Sequence, residues 1–233
     1  MYRDMARTPF DPNVVTRAKP VTFNAPLKWR DPARVFTCSW SDFWIEEADA
    51  WREEALQIIA QTPHLTYQIL TKRPERIGKT PIGINGLPPN LWIGVSVENQ
   101  KEAHKRIWQL CQIPAAVRFI SAEPLLGMVD LGFDAWLTDE MGDPIYEKVG
   151  SRIDWVITGG ESGAAAKIRR AEPEWFRFIK NQCIEFGIPF FHKQNGGSIK
   201  IDSHWGGREL DGCTWNQFPA VENVSIERQE QGV

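Results

Sequence analysis

Three glutamates, two lysines, an arginine and an aspartate stand at equivalent positions just beyond short apolar runs of this chain. In a parallel α/β fold those are the places where strand ends and free helix N–H groups face a ligand. In chain order the run ends read Cys38-Ser39-Trp40-Ser41-Asp42, Thr71-Lys72-Arg73-Pro74-Glu75, Ser96-Val97-Glu98-Asn99, Ser121-Ala122-Glu123-Pro124, Gly159-Gly160-Glu161-Ser162-Gly163 and Lys193-Gln194-Asn195-Gly196. Glu98, Glu123, Glu161 and Lys72 are the catalytic candidates, since carboxylates and an amine gathered at one mouth can move protons or hold charge. Lys72 and Lys193 can equally well neutralise an anionic substrate or pair with Glu98 or Glu123. Ser96, Ser121, Ser162, Lys193 and Gln194 offer hydrogen bonds to a cofactor. Gly159 and Gly160 let backbone approach that cofactor, and the N–H groups after them can hold a carboxylate or phosphate, although a tight turn explains the same pair. Ser39, Trp40, Asp42, Arg73 and Asn99 offer a substrate charge, hydrogen bonds and a ring to stack on. The glycines match neither the G-x-G-x-x-G dinucleotide fingerprint nor a Walker loop.

Other reactive types read as structural. His192 alternates with phenylalanines and is expected to be a satisfied core histidine. Cys38 shares a strand face with Phe36 and is expected to be a small buried hydrophobe. Cys38, Cys111, Cys183 and Cys213 form no CxxC or similar spacing, so no metal site is assigned. With no apolar run near the roughly 18 residues of a membrane helix, and no signal peptide, the expectation is a cytoplasmic chain with reduced thiols and no membrane partner.

The elements that must carry these residues follow from spacing. Runs beginning at Arg34, Leu65, Leu91, Val117, Ile153 and Ile188 are β-rich, and each is separated from the next by the length of one βα unit. Helical periodicity fills Glu46 to Gln61, Gln100 to Cys111 and Glu172 to Phe186, the last opening with Pro173 and closing at Gly187. Repeated strand and helix predict parallel strands with right-handed crossovers. In Trp92 to Glu98 the residues Ile93, Val95 and Val97 suit covering helices, whereas Trp92, Gly94, Ser96 and Glu98 suit a partly polar interior; Val117, Phe119, Ser121 and Glu123 repeat that split. The expected fold is therefore an α/β protein, a (β/α)6-type partial TIM barrel rather than a doubly wound sheet.

Three regions are expected: a basic segment over residues 1–33, a barrel domain over 34–195 with a turn-rich insertion at 130–152, and an extension over 196–233. The extension should form a hairpin or ordered tail around Gly206-Gly207 and Asp211-Gly212. Hydrophobic residues at 42% and charged residues at 24% fit a globular core and exclude a disordered or collagen-like chain. A net charge of −3 excludes a global basic field, so any binding of nucleic acid must use a local patch. Tryptophan is over-represented, 11 of 233 residues. Trp92 and Trp155 fall in strands, Trp51 and Trp175 on helix faces, and Trp40 with Trp44 in the first mouth loop, where a ring can stack on a base.

Six motifs in this order, Phe36-Thr-Cys-Ser-Trp-Ser-Asp-Phe-Trp44, Tyr67-Gln-Ile-Leu-Thr-Lys-Arg-Pro-Glu-Arg76, Trp92-Ile-Gly-Val-Ser-Val-Glu-Asn99, Phe119-Ile-Ser-Ala-Glu-Pro-Leu-Leu126, Trp155-Val-Ile-Thr-Gly-Gly-Glu-Ser-Gly163 and Phe190-Phe-His-Lys-Gln194, resemble the phage "gp thirty-seven / gp sixty-eight" family of phages and bacterial genomes. Its members look like relatives of the radical S-adenosylmethionine barrels, in which cysteines after the first strand hold a [4Fe–4S] cluster that reduces S-adenosylmethionine to a 5′-deoxyadenosyl radical. The resemblance implies S-adenosylmethionine as cofactor, and a [4Fe–4S] cluster only where a cysteine segment precedes the stretch like Tyr2-Arg-Asp-Met-Ala-Arg7. No such cysteines stand ahead of Tyr2. The expectation is a first strand and cluster loop encoded upstream, with a cluster-free natural variant as the alternative. A missing first strand would leave the edge at Arg34 to Cys38 unpaired, which predicts poor solubility or dimerisation through that edge. The function this resemblance implies is a radical S-adenosylmethionine-like barrel of unknown substrate, with a small molecule, a nucleotide or nucleic acid as the candidates. A cluster-free phage binding or assembly module and a carboxylate acid–base enzyme are the alternatives.

Overall fold

The β-rich runs form strands because their side chains alternate between an outer face packed in the main core and a concave inner face that is only partly covered. In the computed structural model, which describes residues 15–39, 41–79, 86–138 and 141–220, these strands are β1 (Ala33–Thr37), β2 (Leu65–Thr71), β3 (Leu91–Ser96) and β4 (Val117–Ala122). A two-stranded excursion, β5 (Trp136–Thr138) and β6 (Pro144–Lys148), precedes β7 (Trp155–Gly159) and β8 (Phe190–Gln194). The main sheet has the order β1-β2-β3-β4-β7-β8, and every neighbouring pair is parallel. Strand order following chain order, with no reversal, is the topology of a barrel wall and not of a doubly wound sheet. The sheet curls into a half-barrel whose first and last strands do not pair with each other.

Among the described residues four α-helices accompany it: α1 (Pro20–Phe23), α2 (Asp49–Gln61), α3 (Gln100–Cys111) and α4 (Pro173–Phe186). The period of α3 buries Ala103, Ile107 and Leu110, and the outward residues of β3 and β4, Ile93, Val95, Ile120 and Ala122, join them in the main core with Val97 just past β3. The inward residues Trp92, Val117, Phe119 and Trp155 form a second cluster on the concave face. Gly94 makes it possible: a Cβ there would lie 2.2 Å from the Phe119 ring, which crosses β3 at that point. The alternation expected for β3 and β4 is therefore observed.

At the front, residues 15–32 pack on the outside of α2 rather than along β1. Arg17 pairs with Glu54 at 2.6 Å and lies over Phe23, and the Trp29 carbonyl meets His64 at 3.1 Å. Among the described residues β1 is paired on one side only. The far edge is different, because Trp215 to Gln217 runs along β8. The His192 N–H donates to the Trp215 carbonyl, the Gln217 N–H to that of Phe190, and the Trp155 indole N–H to that of Gln217. Phe218 then turns inward against Trp155 and Phe191, and Arg34 of β1 lies 4.0 Å from its ring centroid. The concave face is thus bridged low down between its two edges.

Several boundaries differ from expectation. The insertion at 130–152 contains the β5–β6 hairpin, which the turn signals concealed. The described part of the extension holds two hairpins, β9 (Lys200–Ile201) with β10 (His204–Trp205) and β11 (Glu209–Leu210) with β12 (Cys213–Thr214). Asp211-Gly212 is a turn as expected, but the other turn is Asp202-Ser203, both at positive φ. Gly206-Gly207 is a close crossing instead: a Cβ on Gly206 would sit 1.9 Å from the Gly196 carbonyl oxygen. Among the described residues, no helix is long and apolar enough to cross a membrane.

Candidate functional site

The carboxyl ends of β2, β3, β4, β7 and β8 meet at one mouth, tied by backbone. After β4 the chain crosses between its neighbours, so that the Leu126 N–H donates to the Glu98 carbonyl at 2.9 Å and the Leu125 N–H to that of Gly159 at 3.0 Å. Ser96 and Ser121 are register partners on β3 and β4 and are both buried. Two residues beyond each stands a glutamate, so Glu98 and Glu123 come from the same inward-facing rows.

Each glutamate takes a lysine from the opposite side. Lys72, just past β2, ion-pairs with Glu98 Oε1. Lys193, on β8, is 3.4 Å from Glu123 Oε1, whose partner oxygen accepts from Ser121 Oγ at 3.1 Å. The space for Glu123 comes from Gly159, where a Cβ would be 2.2 Å from Oε1. Glu98 also accepts from Arg106 Nη1 of α3 at 2.9 Å, and that nitrogen donates to the Ser96 carbonyl at 2.7 Å. Burial opposes ionisation of Glu98, but the bond and charge of Lys72 and the charge of Arg106 prevail and hold its carboxyl below the usual range.

Glu161 lies at the rim. It accepts from the Arg169 backbone N–H at 2.8 Å and from that guanidinium at 3.0 and 2.6 Å, bonds that bring its pKa to about 2. Arg169 also feels the charge of Glu98, which places its loop beside the first Lys–Glu pair.

Some expected contacts are engaged internally. Asp42, read as a substrate contact, accepts from Trp44 N, Thr71 Oγ1, Lys72 N and Arg73 Nη1 at 2.8–3.1 Å, pinning the first mouth loop to the end of β2. Asn99 caps α3, its side chain accepting from the Glu102 N–H at 3.1 Å. The Gly160 N–H goes to the Gln194 carbonyl at 3.0 Å, and Gln194 Nε2 donates back to the Gly160 carbonyl at 3.3 Å. The glycine pair therefore packs β7 against β8 and clears Glu123. Ser162 bridges to Gly197 and is exposed, as is Ser39. Trp40 lies outside the described residues, and Trp44 is fully buried under Arg52, which removes it as a stacking ring.

Arg106 joins this cluster from a helix and so is not announced by the strand ends. Its signal was the Glu102–Arg106 spacing of one helical turn, which puts both on the α3 face that looks at Glu98. His192 is fully buried and satisfied, as expected. Asn195 Nδ2 donates to the Gly206 and Glu209 carbonyls, so Asn195 Oδ1 must accept from His192 Nε2–H, and His192 Nδ1 accepts from Thr158 Oγ1. Burial pushes its pKa down, against the effect of Asn195, and keeps the ring neutral.

A cluster-holding site is not built from these residues. Among the described residues no three His, Cys, Asp or Glu are grouped to hold a metal. Burial pushes the thiols of Cys111 and Cys183 up to about 12 and raises that of Cys38, which packs on the main core as a half-buried hydrophobe. Cys213 is exposed on β12.

Taken together, the wall and the mouth define a parallel α/β half-barrel with two Lys–Glu pairs at the carboxyl ends of its strands. A family profile described as "Protein of unknown function (DUF5131)" matches residues 2–219, and the chain belongs to that family. Comparison with curated proteins and with solved structures gives no match.

Proposed function

We propose that the mouth binds a small zwitterionic nucleoside of the S-adenosylmethionine type, the reading that the resemblance to radical S-adenosylmethionine barrels also favours. The observation that carries it is the pairing of Lys72 with Glu98 and of Lys193 with Glu123 on either side of the Ser96–Ser121 step. A ligand carrying both an ammonium and a carboxylate can exchange into such pairs without leaving a buried charge unpartnered. Lys193 takes the ligand carboxylate, Glu123 takes its ammonium or sulfonium, and Glu98 stays with Arg106. Below them Leu70, Ile157 and Phe191, only partly covered, offer an apolar floor for a base. When bound, S-adenosylmethionine supplies an activated group on its sulfonium.

The cysteines present do not fit a [4Fe–4S] cluster, so no step through one is assigned to this chain. Of the alternatives, a cluster-free binding module shares the same mouth.

Calorimetric titration with S-adenosylmethionine tests the reading. Glu123→Gln removes a charge-assisted bond worth about 1.5–3 kcal/mol and is expected to weaken binding about 10- to 100-fold. Lys193→Ala should weaken the ligand's carboxylate end in the same direction. Saturable binding that neither variant changes would show that the ligand sits elsewhere.

A further inference from the structure

Four rim carboxylates each lie inside a cation. Side chains of Asp42, Glu98, Glu123 and Glu161 are 10–24% exposed, whereas those of Arg73, Lys72, Lys193 and Arg169 are 45–62% exposed. A ligand approaching the mouth therefore meets the positive partner of each pair first, although the chain carries a net charge of −3. The concave face continues that character downward. Arg34 lies over Phe218 at 4.0 Å and Arg208 over Phe191 at 5.2 Å, two guanidinium groups laid on aromatic rings. On β1, Phe36 shares the face of Arg34 and leaves 50% of its surface open. Its register partner Gln68 on β2 is half-buried and adds an amide beside that ring.

We propose that this open concave side is a groove for single-stranded nucleic acid. Phe36 is the platform on which an unpaired base stacks, and Arg34, Arg208 and the rim cations contact phosphates. Alternation of cations with aromatic rings suits a strand whose phosphates and bases alternate, and stacking on a recessed ring requires a base outside a duplex. As a statement about the substrate of the same barrel opening, the inference rests on the proposed function, and the experiment separates the two.

The experiment is fluorescence anisotropy with a labelled single-stranded oligonucleotide of about 12 nucleotides, sized to an ordinary single-strand site. Salt is varied between about 50 and about 200 mM, where counterion release is readable. The 233-residue chain is expected to bind the single strand more tightly than the matching duplex. Phe36→Ala should weaken binding about tenfold with an unchanged salt slope, as for loss of one stacked base. Phe36→Leu, which keeps an apolar side chain there, should lose a similar amount. Arg34→Gln should lower the slope of log affinity against log salt by about 0.7, the value of one single-strand phosphate contact. Duplex bound as tightly as single strand, or unchanged affinity in melting-competent Phe36→Ala and Phe36→Leu, overturns the groove. So does absence of oligonucleotide binding alongside intact S-adenosylmethionine binding, whereas the reverse result overturns the proposed function alone.

Discussion

Replacing Arg106 with alanine is expected to cost about 3–5 kcal/mol of stability, the penalty for leaving a buried carboxylate with part of its charge uncompensated. Arg106 and Glu98 are both buried, and one guanidinium serves Glu98, Glu102 and the Ser96 carbonyl together. At about 2–4 °C per kcal/mol for a domain of this size, the melting temperature should fall by about 10 °C. The pH dependence has a defined sign. Glu98 has a folded pKa below its ordinary 4.5, so its stabilisation is complete above that pH and is lost as pH falls through the lower folded value. In Arg106→Ala the carboxyl rises, and the loss begins at higher pH. Denaturant titrations of both proteins between neutral and acid pH check this; equal stability at neutral pH would remove Arg106 as the support of the mouth.

Gly160→Ala is expected to cost about 3 kcal/mol, the upper end for forcing atoms into a packed site. Its Cβ would stand 2.0 Å from the Asn195 carbonyl oxygen and 2.7 Å from the carbon, and backbone cannot swing aside as a long side chain can. The ends of β7 and β8 must separate, breaking the Gly160–Gln194 bond and drawing Lys193 away from Glu123. S-adenosylmethionine binding should fall with stability. Gly127→Ala is the control, since nothing lies within 4 Å of that Cβ, and it should leave both unchanged. A Gly160→Ala protein with unaltered melting would mean that the strands have slack at the mouth.

The wall was legible in the sequence because period-two alternation is a local signal. β2 begins and ends where its apolar run does, and β3 and β4 start at Leu91 and Val117 as expected. β7 and β8 start two residues later than the apolar runs suggest, at Trp155 and Phe190; the lead-in residues Ile153 and Ile188 are buried without joining the ladder. The pairing of Glu98 and Glu123 with lysines was also within reach, because strand ends of a parallel sheet converge. What remained hidden was long-range. Nothing local says that Asp42 will be held by the end of β2, that Arg106 will reach back from α3, or that Trp215 to Phe218 will edge β8 and enter the concave face. Gly159-Gly160 shows the ambiguity of a short motif: the glycines are required by the Glu123 side chain and the Asn195 carbonyl, contacts made by residues 36 positions away in one direction and 35 in the other.

Hydrogen exchange of the chain with and without S-adenosylmethionine locates the ligand. Added protection is expected at the ends of β3, β4, β7 and β8, around Ser96 to Glu98, Ser121 to Glu123, Gly159 to Glu161 and Lys193 to Asn195. The shallow hollow between the β5–β6 hairpin and α4, lined by Trp136, Tyr146, Lys148 and Phe186, should be unaffected. Protection confined to that hollow, or no protection at saturating ligand, would contradict the assignment of the mouth.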